Sequence, residues 1–222
     1  FRNSYTNVAV SNYLSYEFGE RGYETTIIPN SIDIKAFPFK LRHEALPKLL
    51  WVRSFHSHYN PNMAADVLAE LIETYPDAEL CMVGPDKDGS MQEFINYSTN
   101  LGLKSQIKVT GLLPKKEWIK MSGDYDFLIN TTNVDNTPYS VIESMALGLC
   151  IVSTDPGGIR YFLEDSRNAQ LVHPGEYKAM SERISAMIQD SDKFRQQIKI
   201  ARQDAEQYDW MIVRQKWLSL LK

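Results

Sequence analysis

Positive charge is not in excess in this sequence: 24 Lys and Arg stand against 28 Asp and Glu, a formal net charge of −4. That argues against nucleic acid as a partner, since nucleic-acid binding rests on a basic face. Cysteine is scarce too. Cys81 and Cys150 each sit inside an apolar run, "AELCMVG" and "LGLCIVST". They read as buried free thiols in a reducing compartment, which excludes a disulfide framework. No apolar stretch approaches the length of a membrane span, and no signal peptide is recognisable. A soluble, cytoplasmic protein is the expectation. Internal repeats and low-complexity tracts are missing, and neither G-x-G-x-x-G nor G-x-x-x-x-G-K-[ST] occurs.

What is present is a regular alternation. With 222 residues and 43% hydrophobic content, the chain can bury a sizeable core. Strands are expected at 6–11, 25–29, 48–53, 78–84, 106–111, 125–132, 149–155 and 169–174. Helices are expected at about 61–74, 90–100, 115–122, 140–147 and 176–189. One more helix after the first strand would be capped by Ser11 and ended by Gly22. The last 30 residues read as two further helices. Residues 31–47 carry two prolines and weak periodicity, and read as a linker. Continuously apolar strands suit a parallel sheet covered on both faces, and strand–helix alternation implies right-handed crossovers. The fold class expected is therefore α/β, a Rossmann-like doubly wound parallel sheet. Ligands bind such sheets at the carboxyl ends of the strands, near the switch in strand order.

That rule selects the loops after Arg53, Gly84, Gly111, Thr132 and Asp155. In "NVDNTPYSVIESMALGLCIVSTDPGGIRYF" (133–162), Pro138 sets a turn and Ser140 can cap the helix that follows. Free amides at such a helix start form an anion site. Glu143 completes a capping box with Ser140 or, alternatively, accepts hydrogen bonds from vicinal hydroxyls. Asp135 either stabilises a loop turn or faces the reacting end of a ligand. Arg53 ends an apolar strand and can grip a diphosphate bidentately. His56 and His58 form an H-x-H pair without a third ligand at suitable spacing, so no metal is expected, and His58 is read as a phosphate donor. Gly84, Gly111 and the Gly157-Gly158 pair serve either tight turns or close backbone approach to a ligand. "PKKEW" (114–118) reads as a solvated helix start.

Taken together, these stretches resemble the carboxyl-terminal half of a group-one retaining glycosyltransferase with GT-B architecture. "DNTPYSVIESMALGLCIVSTDPGG" carries the specific part: two acids separated by seven residues, a small-residue helix, a strand and Gly-Gly. "TNVAVSNYLSYEFGERG", "IIPNSID", "LLWVR", "AELCMVG", "IKVTGLLPKKEWIKM" and "YDFLINTT" follow the family's order. "YDWMIVRQKWLSLL" is similar to its terminal helix. The resemblance implies that Glu143 holds the donor ribose and that Asp135 contacts the transferred sugar. It places the distal phosphate at amides around Thr137, Pro138, Tyr139 and Ser140, the diphosphate at Arg53, and Gly84 and Gly111 along the nucleotide. It implies a nucleotide-sugar donor, no cofactor or metal, and a glycan or lipid-linked acceptor bound through an N-terminal domain not contained here. Polysaccharide biosynthesis and peripheral membrane association of the full enzyme follow at the family level.

On this reading residues 1–40 are a remnant of the first domain and its linker, 41–205 the nucleotide-sugar domain, and 206–222 a helix packing toward the first domain. The start at Phe1 rather than Met fits a piece of a longer enzyme, incomplete and inactive alone. Trp210, Val213, Trp217 and Leu221 make one apolar stripe on that last helix, expected to be partly exposed. Four positions depart from the family pattern. Asp135 stands for a Glu, Ser31 for a Gly and Tyr161 for a Glu. His58 and Asn60 lie where a Lys is usual, which weakens diphosphate stabilisation. A non-catalytic nucleotide-sugar-binding module and a GT-B sugar-nucleotide epimerase remain open alternatives.

Overall fold

A computed structural model describes residues 3–222. Six strands form one parallel sheet: β3 (Lys48–Val52), β4 (Glu79–Val83), β5 (Ile107–Gly111), β6 (Phe127–Asn130), β7 (Cys150–Thr154) and β8 (Gln170–Val172). Their spatial order is β5-β4-β3-β6-β7-β8. The chain thus winds outward from β3 in one direction, returns to β6 and winds outward in the other. This is the Rossmann-like order, and its switch point lies between β3 and β6. The helices are α2 (Pro61–Ile72), α3 (Ser90–Asn100), α4 (Lys115–Met121), α5 (Tyr139–Leu147), α6 (Tyr177–Gln189), α7 (Ser191–Glu206) and α8 (Trp210–Leu220).

The alternation of side chains along each strand divides the core in two. Leu49, Trp51, Leu80, Met82, Phe127 and Ile129 pack under α2, α3 and α6, against Met63, Val67, Phe94 and Ile184. Leu50, Cys81, Val83, Leu128 and Ile151 face the opposite way, against Val141, Ile142 and Met145 of α5 and Ala201 and Ala205 of α7. Each large apolar side chain buried this way contributes about 1.5–3 kcal/mol. Both cysteines are free and buried, and burial pushes both thiols above their ordinary pKa, so neither is poised to react. Across the switch point the indole Nε1 of Trp51 donates to Thr131 Oγ1 at 3.0 Å.

Before this sheet, β1 (Val8–Ala9), α1 (Asn12–Gly19) and β2 (Thr26–Ile27) form a separate two-stranded parallel unit. Ser11 caps α1 as expected, accepting from Leu14 N. Gly22 does not end the helix, which stops at Gly19; it turns the chain afterwards at φ 77°. Residues 31–47 have little regular structure, but they are docked rather than loose. Arg42, only 4% exposed, donates to the carbonyls of Tyr125, Ser122, Leu147 and Gly148 and pairs with Asp126 at 3.2 Å. A buried guanidinium needs such complete pairing, because an isolated one would cost several kcal/mol. On α8 Val213 is buried while Trp210, and Leu221 just past the helix end, are exposed, in line with a partly exposed stripe.

Candidate functional site

Arg53 leaves β3 directly at the switch point, its amide bonded to Val83 O at 3.0 Å. Its guanidinium lies over the Tyr59 ring, 3.8 Å from the centroid, and Nη2 donates to Asp135 Oδ2 at 2.7 Å. Tyr59 is offered by a 3-10 turn (Ser57–Tyr59), followed by Asn60 in the left-handed region at φ 46°. Arg53 Nε is buried and has no partner. Asp135 belongs to the loop after β6, so the ion pair bridges the two halves of the sheet. Burial pushes the Asp135 carboxyl above its ordinary pKa, opposed by Arg53 and by the Asn136 amide.

Two glycine sites explain this geometry. A Cβ on Gly84 would lie 1.7 Å from Arg53 O, so the turn after β4 closes on Arg53 only because no side chain is there. The Gly157-Gly158 pair presses on the Asp135 loop: a Cβ would stand 2.4 Å from Asp135 O at one and 2.4 Å from Asn136 O at the other. Gly158 N donates to Asp135 O at 3.0 Å. The pair therefore admits the 135–136 backbone and is not a free turn.

Glu143 has a different setting. α5 begins at Tyr139, with Pro138 in an extended conformation before it and no side chain capping the first turn. Ser140 is thus inside the helix, and the Ser140–Glu143 capping box does not form. Instead the Glu143 carboxylate, on a side chain 6% exposed, hydrogen-bonds Lys115 Nζ from the start of α4. The "PKKEW" helix start is solvated as expected, with residues 114–117 exposed, and Lys115 pairs with Glu143 in addition. Thr137 and Pro138 are buried, and Thr137 O accepts from Asn30 Nδ2 at 3.0 Å. Tyr139 is exposed at the helix start.

Gly84 N donates to Gly111 O at 2.9 Å, so both glycines lie side by side at the carboxyl edge. His58 is exposed, its ring 4.4 Å from that of His56, and among the described residues its side chain forms no hydrogen bond or ion pair with Arg53, Asp135 or Glu143. Among the described residues no group of three or more His, Cys, Asp or Glu could hold a metal ion. A separate cavity of about 580 Å³ lies beyond β8, where Asp155 is already paired with Arg160 and His173. Sequence reasoning missed Tyr59 and Lys115. The available signal for Lys115 was its place, since a cation at a helix N-terminus opposes the dipole and calls for another partner.

Burial raises the Glu143 pKa, while the Lys115 hydrogen bond and charge oppose the rise. A carboxyl raised above its unfolded value binds more protons when folded, so its stability contribution is full at low pH and lost as pH rises through the folded value. Glu143→Gln should therefore raise stability at neutral pH by up to about 1 kcal/mol, with exposed Lys115 returning to water. Denaturant titration at two pH values checks this: the gain should shrink on the acid side, and an equal effect at both would contradict it.

A family model described as "Glycosyl transferases group 1" matches residues 33–204. "Spore coat protein SA" of Bacillus subtilis (strain 168) is 24% identical over 179 residues, covering 78% of this chain and 48% of that protein. The fold is similar to that of Anabaena Alr3699/HepE crystallised with UDP, with a TM-score of 0.89 at 20% identity, covering 99% of this chain and 64% of that one. It is also similar to the C-terminal domain of a glycosyl transferase group 1 family protein (LpcC) from Francisella tularensis. There the TM-score is 0.71 at 14% identity, over 81% of this chain and 100% of that one. The chain spans about half the length of the Bacillus relative. No helix is long and apolar enough to cross a membrane, among the described residues.

Proposed function

The chain belongs to the group 1 glycosyltransferases, with the fold of the carboxyl-terminal half of a GT-B enzyme, and we propose that it binds the nucleotide-sugar donor of a retaining transferase. The observation that carries this is the meeting of Arg53 and Asp135 at the switch point, just before the uncapped first turn of α5. In this reading Glu143 accepts two hydrogen bonds from the ribose diol. The amides around Thr137, Tyr139 and Ser140, aided by the helix dipole, take the distal phosphate. Arg53 takes the diphosphate with its fork of guanidinium donors. As the glycosidic bond breaks, negative charge grows on the leaving diphosphate, and in this reading Arg53 and these amides stabilise it.

Asp135 has two successive partners in this scheme. Without donor it neutralises Arg53; with a diphosphate on the guanidinium, its oxygens turn to hydroxyls of the transferred sugar. Gly84 and Gly111 line the nucleotide, and no metal is needed for charge balance. The acceptor, a glycan or lipid-linked glycan, would approach from a first domain. Residues 1–40 are proposed as the end of that domain with its linker, 41–205 as the donor domain, and α8 as returning toward the first. A cytoplasmic location and a role in polysaccharide assembly belong to the same proposal. A non-catalytic nucleotide-sugar-binding module is the second reading, favoured by the exposed His58 where a lysine is usual in the family.

Calorimetric titration with UDP, GDP, ADP and their sugar derivatives tests the proposal. UDP comes first, because the Anabaena protein was crystallised with it. Selective binding is expected, weakened about 10- to 100-fold by Glu143→Ala through loss of charge-assisted hydrogen bonds. Equal affinity of the variant and the parent would remove Glu143 from the site.

A further inference from the structure

We infer that Lys115 is a positioning residue of the donor site: its ammonium, set between the Glu143 carboxylate and the Phe37 ring, holds that carboxylate in the orientation and charge state a ribose diol requires. The inference rests on the donor-site reading for its consequence, and on the ion pair itself for its geometry. Glu143 lies in a stretch of α5, Val141 to Leu147, that is buried throughout. A carboxylate there has lost most of its water and needs a fixed partner. Lys115 Nζ supplies the hydrogen bond and lies 5.2 Å from the Phe37 ring centroid. Phe37 is itself only 2% exposed, so the ring is a fixed wall rather than a loose neighbour. The segment before β3, the start of α4 and α5 therefore meet at one ammonium.

Lys115 pays an electrostatic penalty to be there. It is the first residue of α4, where the helix dipole disfavours a cation. Glu143 offsets that penalty. Lys115 is also the charged group that opposes the upward push of burial on the Glu143 carboxyl. A protonated Glu143 presents a donor to hydroxyls that themselves donate, so nucleotide binding should fall on the acid side. Lys115 sets where that fall begins. Its side chain is 57% exposed, so replacing it does not open the core.

The test compares the parent with Lys115→Met, which keeps the stem, and Lys115→Arg, which keeps the charge. Carbon-13 NMR follows the Glu143 carboxyl titration, the signal being identified by its loss in Glu143→Gln. UDP calorimetry runs over the same pH range. In Lys115→Met the carboxyl titration should move to higher pH, because the hydrogen bond and charge that oppose the effect of burial are gone. UDP affinity should fall about tenfold near the acid limb and recover in alkali, and Lys115→Arg should restore the parental profile. An unmoved carboxyl titration overturns the inference. So does an affinity loss of the same factor at every pH, which would mean a lost direct contact with the nucleotide. If Glu143→Gln binds UDP like the parent, or the parent binds no nucleotide, the donor reading of Glu143 fails separately, and the carboxyl titration still decides whether Lys115 controls its charge.

Discussion

Gly84→Ala should destabilise the chain by about 3 kcal/mol or more. The added Cβ would stand 1.7 Å from the Arg53 carbonyl oxygen, and Gly84 also has φ +152°, a conformation L side chains rarely adopt. The obstacle is backbone at the centre of the sheet edge, so no side chain can swing aside to make room. β3 and β4 would have to part where Arg53 N bonds Val83 O, and the shift would disturb the bond from Gly84 N to Gly111 O that ties β4 to β5. Against a total stability of about 5–15 kcal/mol for a domain, such a loss is large. Denaturant unfolding monitored by circular dichroism measures it. Gly111→Ala is the control: nothing lies within 4 Å of its added Cβ, so only the cost of φ +70° applies. If the two variants lost equal stability, the close approach at Gly84 would not be what matters.

Arg53→Met carries the second large effect, on both affinity and stability. It removes the bidentate donor from the proposed diphosphate site, which should lower UDP affinity about 10- to 100-fold. In a complete enzyme the same change should slow transfer about 10²- to 10³-fold, because charge on the leaving group grows toward the transition state. It also strips Asp135 of its cation in a setting where burial already disfavours the charge. Breaking a buried pair from one side costs about 3 kcal/mol. The double variant Arg53→Met with Asp135→Asn should recover most of that stability, since no charge is left unpaired, and none of the affinity. Unfolding and calorimetry on the four members of the cycle separate the effects. Parental UDP affinity in Arg53→Met would place the diphosphate elsewhere.

The sequence disclosed the sheet because each strand is a short apolar run, and burial on both faces leaves no other pattern to choose. It disclosed Arg53 and Asp135 singly, through their places after strands. Their contact was not legible, since 82 residues separate them and only the strand order brings them together. The serine and glutamate of "SVIE" show how one pattern serves two geometries. A capping box requires the serine before the first turn, and here Pro138 takes that place, leaving Glu143 free for Lys115. The Gly-Gly pair looked like a turn because local reasoning sees φ and not the neighbouring loop. Arg42 was invisible for the same reason: all but one of its partners come from residues 122 to 148, and a stretch with two prolines around it reads as slack chain.

The placement of β3 has a consequence for how the protein is made. As the ribosome delivers the chain, β3, β4 and β5 are all present once Gly111 has emerged, and they can pair at once. The other edge of β3, with Leu49 and Leu50 that later lie opposite Phe127 and Leu128, stays open until β6 is synthesised. For that interval the nascent half-sheet displays an apolar strand edge that will accept any strand offered to it. Translational pausing between residues 111 and 127, or a chaperone engaged at that length, would therefore act while this edge of β3 is open.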